Sequence, residues 1–184
     1  MPANWFRFCC ARSLGCSLVA AVIAVAAAAR ADAPRAGLTY DLSAEPRYVK
    51  RYRVEVGDVP RHSLEVYSRQ RVFALQPPVF EGVRVVECEE QGVFDLVDHS
   101  GTESGYVTFM LEDGSRVLGR YSGTLAARLW PDGSRHYDIR GTLELTGGSG
   151  RFDKIRGQLS IWQALDPGAD SAQGRAEGEY WVEP

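Results

Sequence analysis

Apolar and polar positions alternate along most of this chain in short runs, and after residue 33 no stretch keeps apolar residues at helical spacing for more than about two turns. The β-rich runs are Tyr48–Val56, Ser63–Tyr67, Val83–Cys88, Val93–Val97, Tyr106–Leu111, Arg116–Tyr121, Leu125–Trp130, Tyr137–Leu145, Gly157–Trp162 and Ala176–Val182. Turn signals separate them at intervals that suit a sandwich or a barrel. Pro77-Pro78 marks a loop, because no strand interior accepts two prolines. Asp166–Gly174 reads as a second loop and residues 32–46 as a loose N-terminal arm. The pattern predicts an all-β domain over residues 47–184, a single antiparallel β-barrel of about eight strands.

A weak repeat sharpens this. Asp113-Gly114-Ser115-Arg116 leads to Gly123-Thr124-Leu125, and Asp132-Gly133-Ser134-Arg135 leads to Gly141-Thr142-Leu143. Asp-Gly between β-rich runs is a strong signal for a two-residue hairpin loop. With Asp113-Gly114 as that loop, Tyr106 opposes Tyr121, Thr108 opposes Gly119 and Met110 opposes Val117. That face is uncharged and is expected to point inward. The strand between the two turns would run about 50 Å, so Gly119 and Gly123 are expected bend or bulge sites. The second hairpin is ambiguous. If the long strand keeps phase, the face with His136, Asp138, Arg140 and Glu144 points inward. A bulge at Ser122-Gly123 would turn it outward, and the cost of burying those charges favours the bulge.

Composition adds a compartment. Residues 18–29 form an apolar run of 12 residues after Arg7 and Arg12, too short to span a bilayer and of the length of a signal-peptide core. Ala29-Arg30-Ala31 is the preferred cleavage site, so residues 1–31 read as a signal peptide, and the mature chain is expected to be periplasmic or secreted. Its removal leaves 18 basic and 24 acidic residues, a net charge of −6 against −3 for the whole chain. No basic excess points to nucleic acid. Of the four cysteines, Cys9, Cys10 and Cys16 leave with the leader. Cys88 remains and reads as a small buried apolar residue rather than a reactive thiol.

The run Leu143-Glu144-Leu145-Thr146-Gly147-Gly148-Ser149-Gly150-Arg151-Phe152, followed by Gly157-Gln158, resembles the glycine signature of the allene oxide cyclase barrel-like and dirigent superfamily. The resemblance covers about residues 62–182. It implies an eight-stranded antiparallel barrel with a central cavity, as a homotrimer or homodimer, with Gly147, Gly148 and Gly150 forming a turn and Phe152 folding back to plug one end. The plant cyclases of that superfamily use a cavity glutamate and an asparagine on an early strand. Just after Val66-Tyr67, where the glutamate would fall, this chain has Ser68, and Arg69 or Gln70 stands near the asparagine position. The cyclase activity therefore does not carry over, and Glu65 would substitute only in a register several positions different.

Catalytic groupings are thin. His62, His99 and His136 have no metal-ligand spacing, so no metal is expected. No Gly-x-Ser-x-Gly elbow occurs. Glu89-Glu90 and Asp95/Asp98 read as solvated carboxylates at loop ends. Lys50-Arg51-x-Arg53, alternating with Tyr52 and Val54, reads as an exposed strand face. The expected ligand site is the uncharged face of Tyr106, Thr108, Met110, Val117 and Tyr121. The functional expectation is a non-catalytic exported barrel that binds a small apolar or aromatic ligand or serves as an interaction domain, without cofactor. The alternative is an isomerase or cyclase that acts by confining its substrate.

Overall fold

The computed structural model describes residues 33–184 except 45, 74 and 168–170; the expected signal peptide lies outside the described residues. The described chain is all-β, with ten antiparallel strands: β1 Ala36–Asp41, β2 Arg47–Glu55, β3 His62–Gln70, β4 Val79–Phe80, β5 Val83–Val97, β6 Ser100–Leu111, β7 Arg116–Leu129, β8 Arg135–Gly148, β9 Ile155–Asp166 and β10 Ser171–Val182. They form one sheet in the order β1-β10-β9-β8-β7-β6-β5-β3-β2, with β4 beside β5. The two ends of the ladder, β1 and β2, do not pair with each other. The expectation of a closed barrel of about eight strands is thus corrected to an open ten-stranded sheet, in which β2, β3 and β5–β10 follow one another as neighbours. The sheet curls on itself, because Tyr40 of β1 meets Phe109 of β6 with ring centroids 6.0 Å apart.

One extra strand comes from the segment read as a loose arm. β1 pairs with β10 from Ala36↔Tyr180 to Asp41↔Arg175 and buries Leu38 and Tyr40. Its apolar alternation spans too few residues to stand out in the sequence.

Both Asp-Gly hairpins have three-residue loops instead of two. In the first, the Leu111 N–H donates to Ser115 O at 3.0 Å and the Gly114 N–H donates to Leu111 O at 2.9 Å. Asp113 Oδ1 accepts from the Ser115 backbone N–H at 2.9 Å and from its hydroxyl. The second repeats this with Trp130, Asp132, Gly133 and Ser134. Gly114 and Gly133 both take φ of +83°, the left-handed residue that follows a type I turn in such loops. The additional loop residue shifts the register by one, so Tyr106 opposes Arg120 and Gly105 opposes Tyr121. It also removes the conflict in the second hairpin. β7 keeps phase through Gly123 without a bulge there, and Leu125 opposes Ile139, so both point inward while Arg140 and Glu144 face solvent. The tight two-residue loops lie elsewhere, at Glu81-Gly82 and Asp98-His99, all four with positive φ.

One end of the interior is dry. Phe80 of β4 packs on Tyr180, Phe109 and Phe152 at 5.3, 5.8 and 6.0 Å between centroids, and each such aromatic pair contributes about 0.5–1.5 kcal/mol beyond its buried area. Phe152 reaches this cluster from a 3-10 turn at Gly150–Phe152 and is fully buried. Positive φ falls on Gly147 (+155°) and Gly150 (+62°), whereas Gly148 is needed for space. A Cβ there would collide with Arg116 O and lie 2.6 Å from Phe152 O. Gly148→Val is expected to destabilise the fold by about 1–3 kcal/mol, read as a lowered thermal midpoint; an unchanged midpoint would refute the close approach.

Candidate functional site

The other end of the interior is polar. Alternation along β3 sends Ser63, Glu65, Tyr67 and Arg69 inward and leaves Leu64 and Val66 exposed, the reverse of a usual half-buried strand. A register shift between Val85 and Glu87 in β5 brings Cys88 and Glu90 onto the same inner face. β6 adds Glu103 and β7 adds Tyr121.

These groups form one network. The Arg69 guanidinium donates from Nε to Glu90 Oε2 at 2.5 Å and from Nη2 to Glu103 Oε1 at 2.7 Å. Arg71 donates to the same Glu90 carboxylate at 2.6 and 3.2 Å. Tyr67 donates to Glu103, and its hydroxyl also meets that of Tyr121. The Arg69 guanidinium lies 4.6 Å above the Tyr67 ring, a cation–π contact. The phenol oxygens of Tyr67 and Tyr121 occupy room left by the opposed glycines Gly92 and Gly105, where a Cβ on Gly92 would lie 2.6 Å from each.

Burial alone would push the Glu90 carboxyl up, but Arg69 and then Arg71 overcome it and hold Glu90 down to about 2. Burial pushes the Tyr67 and Tyr121 phenols well above their ordinary value, with Arg69 opposing. Burial, then Glu90, pushes the Cys88 thiol up. At neutral pH Glu90 is an anion and the Tyr67 and Tyr121 phenols are neutral donors.

Beside the network a cavity of about 330 Å³ opens between β2–β3 and β8–β9. Phe94, Leu96, Leu125, Ile139 and Leu165 supply its apolar wall. Its polar rim is Glu65, only 2% exposed, which takes Arg51 Nε at 2.6 Å and Arg51 Nη2 at 2.5 Å, with Arg53 Nη1 at 3.6 Å. The β2–β3 wall is fastened by His62, whose ring nitrogens lie 2.5 Å from Asp58 and 2.7 Å from Asp95. Those two carboxylates, Asp58 first, hold the His62 imidazole above its ordinary pKa. Among the described residues no three His, Cys, Asp or Glu side chains gather as a metal-binding group.

No family model, curated protein or solved structure matches this chain. Its site must therefore be read from its own geometry. Of the residues expected to form the ligand site, Val117 and Tyr121 point inward. Tyr106, 69% exposed, lies with Thr108 and Met110 on the opposite face of the sheet. The one-residue register shift separates them, so the five do not form one surface. Gly147, Gly148, Gly150 and Phe152 belong to the dry end.

Sequence reasoning missed Arg69, Arg71, Glu103 and the burial of Glu90, which reads as solvated but is 7% exposed. The available signal was the alternation of Ser63, Glu65, Tyr67, Arg69 and Arg71, four polar residues on the inner face of β3 and a fifth just past its end. Arg51 and Arg53 do lie on an exposed strand, yet both reach the buried Glu65.

Two outcomes test the network. Arg69→Met leaves two buried carboxylates without their shared partner and is expected to cost about 3–5 kcal/mol in urea unfolding. The folded pKa of Glu90 is depressed from 4.5 to about 2, so its stabilisation is present above pH 4.5 and is lost as pH falls toward 2. The stability gap between wild type and Glu90→Gln should therefore be constant from pH 7 to 5 and close by pH 2; a gap that persists at pH 2 would refute the assignment.

Proposed function

We propose that the protein is a non-catalytic binding protein that holds a small apolar or aromatic molecule in its interior, with the eight consecutive strands serving as a barrel-like container. The observation that carries this reading is the cavity of about 330 Å³, with an apolar wall at Phe94, Leu96, Leu125, Ile139 and Leu165 and polar groups at Glu65, Arg51, Arg53, Arg69, His99 and Gln163. Small-molecule sites combine those features: an apolar lining and a few convergent polar groups. The site expected from the sequence thereby moves from Tyr106 and Tyr121 to the space bordered by Glu65 and Arg69.

Glu90, outside this cavity, is held as an anion by Arg69 and Arg71, which ties it to the fold rather than to proton transfer. The resemblance to the allene oxide cyclase barrel-like superfamily agrees with a container but supplies no reaction. The apolar run before Ala29-Arg30-Ala31 supports export, with the mature chain starting at Asp32.

Native mass spectrometry of the protein purified from its own source should show an adduct of small-molecule mass. Leu125→Trp, which fills the cavity, should abolish the adduct. Arg53→Ala, at a half-exposed rim position, should leave the melting temperature near wild type and weaken the ligand about tenfold, the loss of roughly 1.4 kcal/mol. A wild-type protein without an adduct that also fails to bind anilinonaphthalene sulfonate would overturn the proposal.

A further inference from the structure

The outer face of the same sheet carries a second, unrelated surface. Strand pairing places Tyr52, Val66, Val93, Ser104, Ser122 and Thr142 at one level on six successive strands from β2 to β8. The adjacent level holds Lys50, Ser68, Gln91, Tyr106, Arg120 and Glu144. Together these two rows line a trough of about 920 Å³ that crosses the strands. A further depression of about 480 Å³ shares Arg120, Ser122, Thr142 and Glu144 with it and continues to Trp181 on β10.

Three features of the trough bear on what it holds. It is walled by aromatic rings with no task inside the protein: Tyr52 is 66% and Tyr106 69% exposed. From strand spacing and residue rise, these two rings stand about 14 Å apart across the strands and about 7 Å along them. Between them the floor is mixed: Val66 and Val93 are apolar, Ser68, Ser104 and Gln91 are polar, and Ser122 and Thr142 extend the polar row beyond Tyr106; each hydroxyl both donates and accepts hydrogen bonds. Charge is nearly absent, because Arg120 and Glu144 pair at 2.8 Å and leave Lys50 as the one unpaired charge in the two rows among the described residues.

From this pattern we infer that the outer trough binds an extended, uncharged polysaccharide, whose sugar rings stack on Tyr52 and Tyr106 and whose hydroxyls pair with Ser104, Ser122, Thr142 and Gln91. A sugar chain offers both surfaces the trough addresses: apolar ring faces for the aromatics and an edge of groups that donate and accept. The continuous depression toward Trp181 suits a polymer that passes along the sheet, whereas a small molecule would leave most of it empty. This surface is independent of the interior cavity, and loss of one leaves the other intact.

Affinity gel electrophoresis with hydroxyethyl cellulose, xylan, amylose and mannan tests the inference on the whole protein. At least one of these should retard the wild type. Tyr52→Ala combined with Tyr106→Ala should weaken that retardation at least tenfold and keep the wild-type melting temperature, because both rings are exposed. Tyr106→Phe, which retains the stacking face, should keep most of it. The inference is overturned if none of the four polymers retards the wild type, or if the double alanine variant is retarded equally. It is also overturned if the double variant instead dissolves a dimer seen by sedimentation, which would make the trough an interface between copies.

Discussion

Arg69 ties three strands together from inside the sheet. It projects from β3, reaches Glu90 on β5 and Glu103 on β6, and spreads its guanidinium over the Tyr67 ring. A charge in that position persists only with its partners, since an unpaired ion in the interior costs several kcal/mol. The partners are therefore constrained as strictly as the arginine. The register of β5 must bring Glu90 inward, Glu103 must stand on the inner face of β6, and Gly92 and Gly105 must leave space for the phenols that complete the network. Replacement of any one of these would strand the others.

This requirement divides the interior. At the Phe80 end, aromatic side chains interlock and fill the space, as close packing demands. At the Arg69 end, ion pairs hold their groups at fixed directions and distances, so the interior cannot collapse around them to the same density. The cavity beside Glu65 lies on the far side of this network from the Phe80 cluster, where Phe94, Leu96, Leu125 and Ile139 face it. One donor shows the cost of the arrangement: Arg71 Nη1 is buried and has no hydrogen-bond partner among the described residues. An orphaned donor of this kind costs about 1–3 kcal/mol.

The outer face follows from the same register. Alternation along the strands means that each residue assigned inward assigns its neighbours outward. Once Tyr67, Gly92, Gly105 and Tyr121 line the inner face, Val66, Val93, Ser104, Ser122 and Tyr106 must face solvent. Interior network and exterior trough are two sides of one decision about register, although their chemistries are separate.

The all-β class, most strand positions, the loop at Pro77-Pro78 and the hairpins at both Asp-Gly repeats were legible in the sequence, because alternation and turn chemistry are local properties. The number of residues in each hairpin loop was not. Asp-Gly serves both two- and three-residue loops, and Asp113 and Asp132 favoured the longer form by accepting hydrogen bonds from the serine two positions on. That single residue reversed which face of β6 points inward and moved Tyr106 from the expected site to solvent. The inward side of β3 was equally hidden, because five polar residues in alternation look solvated until strands distant in sequence supply Glu90 and Glu103. Sequence alone determined that this chain forms strands and where they turn. Only tertiary structure decided which face is inside, because the energy of a buried charge depends on partners brought together by the curl of the whole sheet.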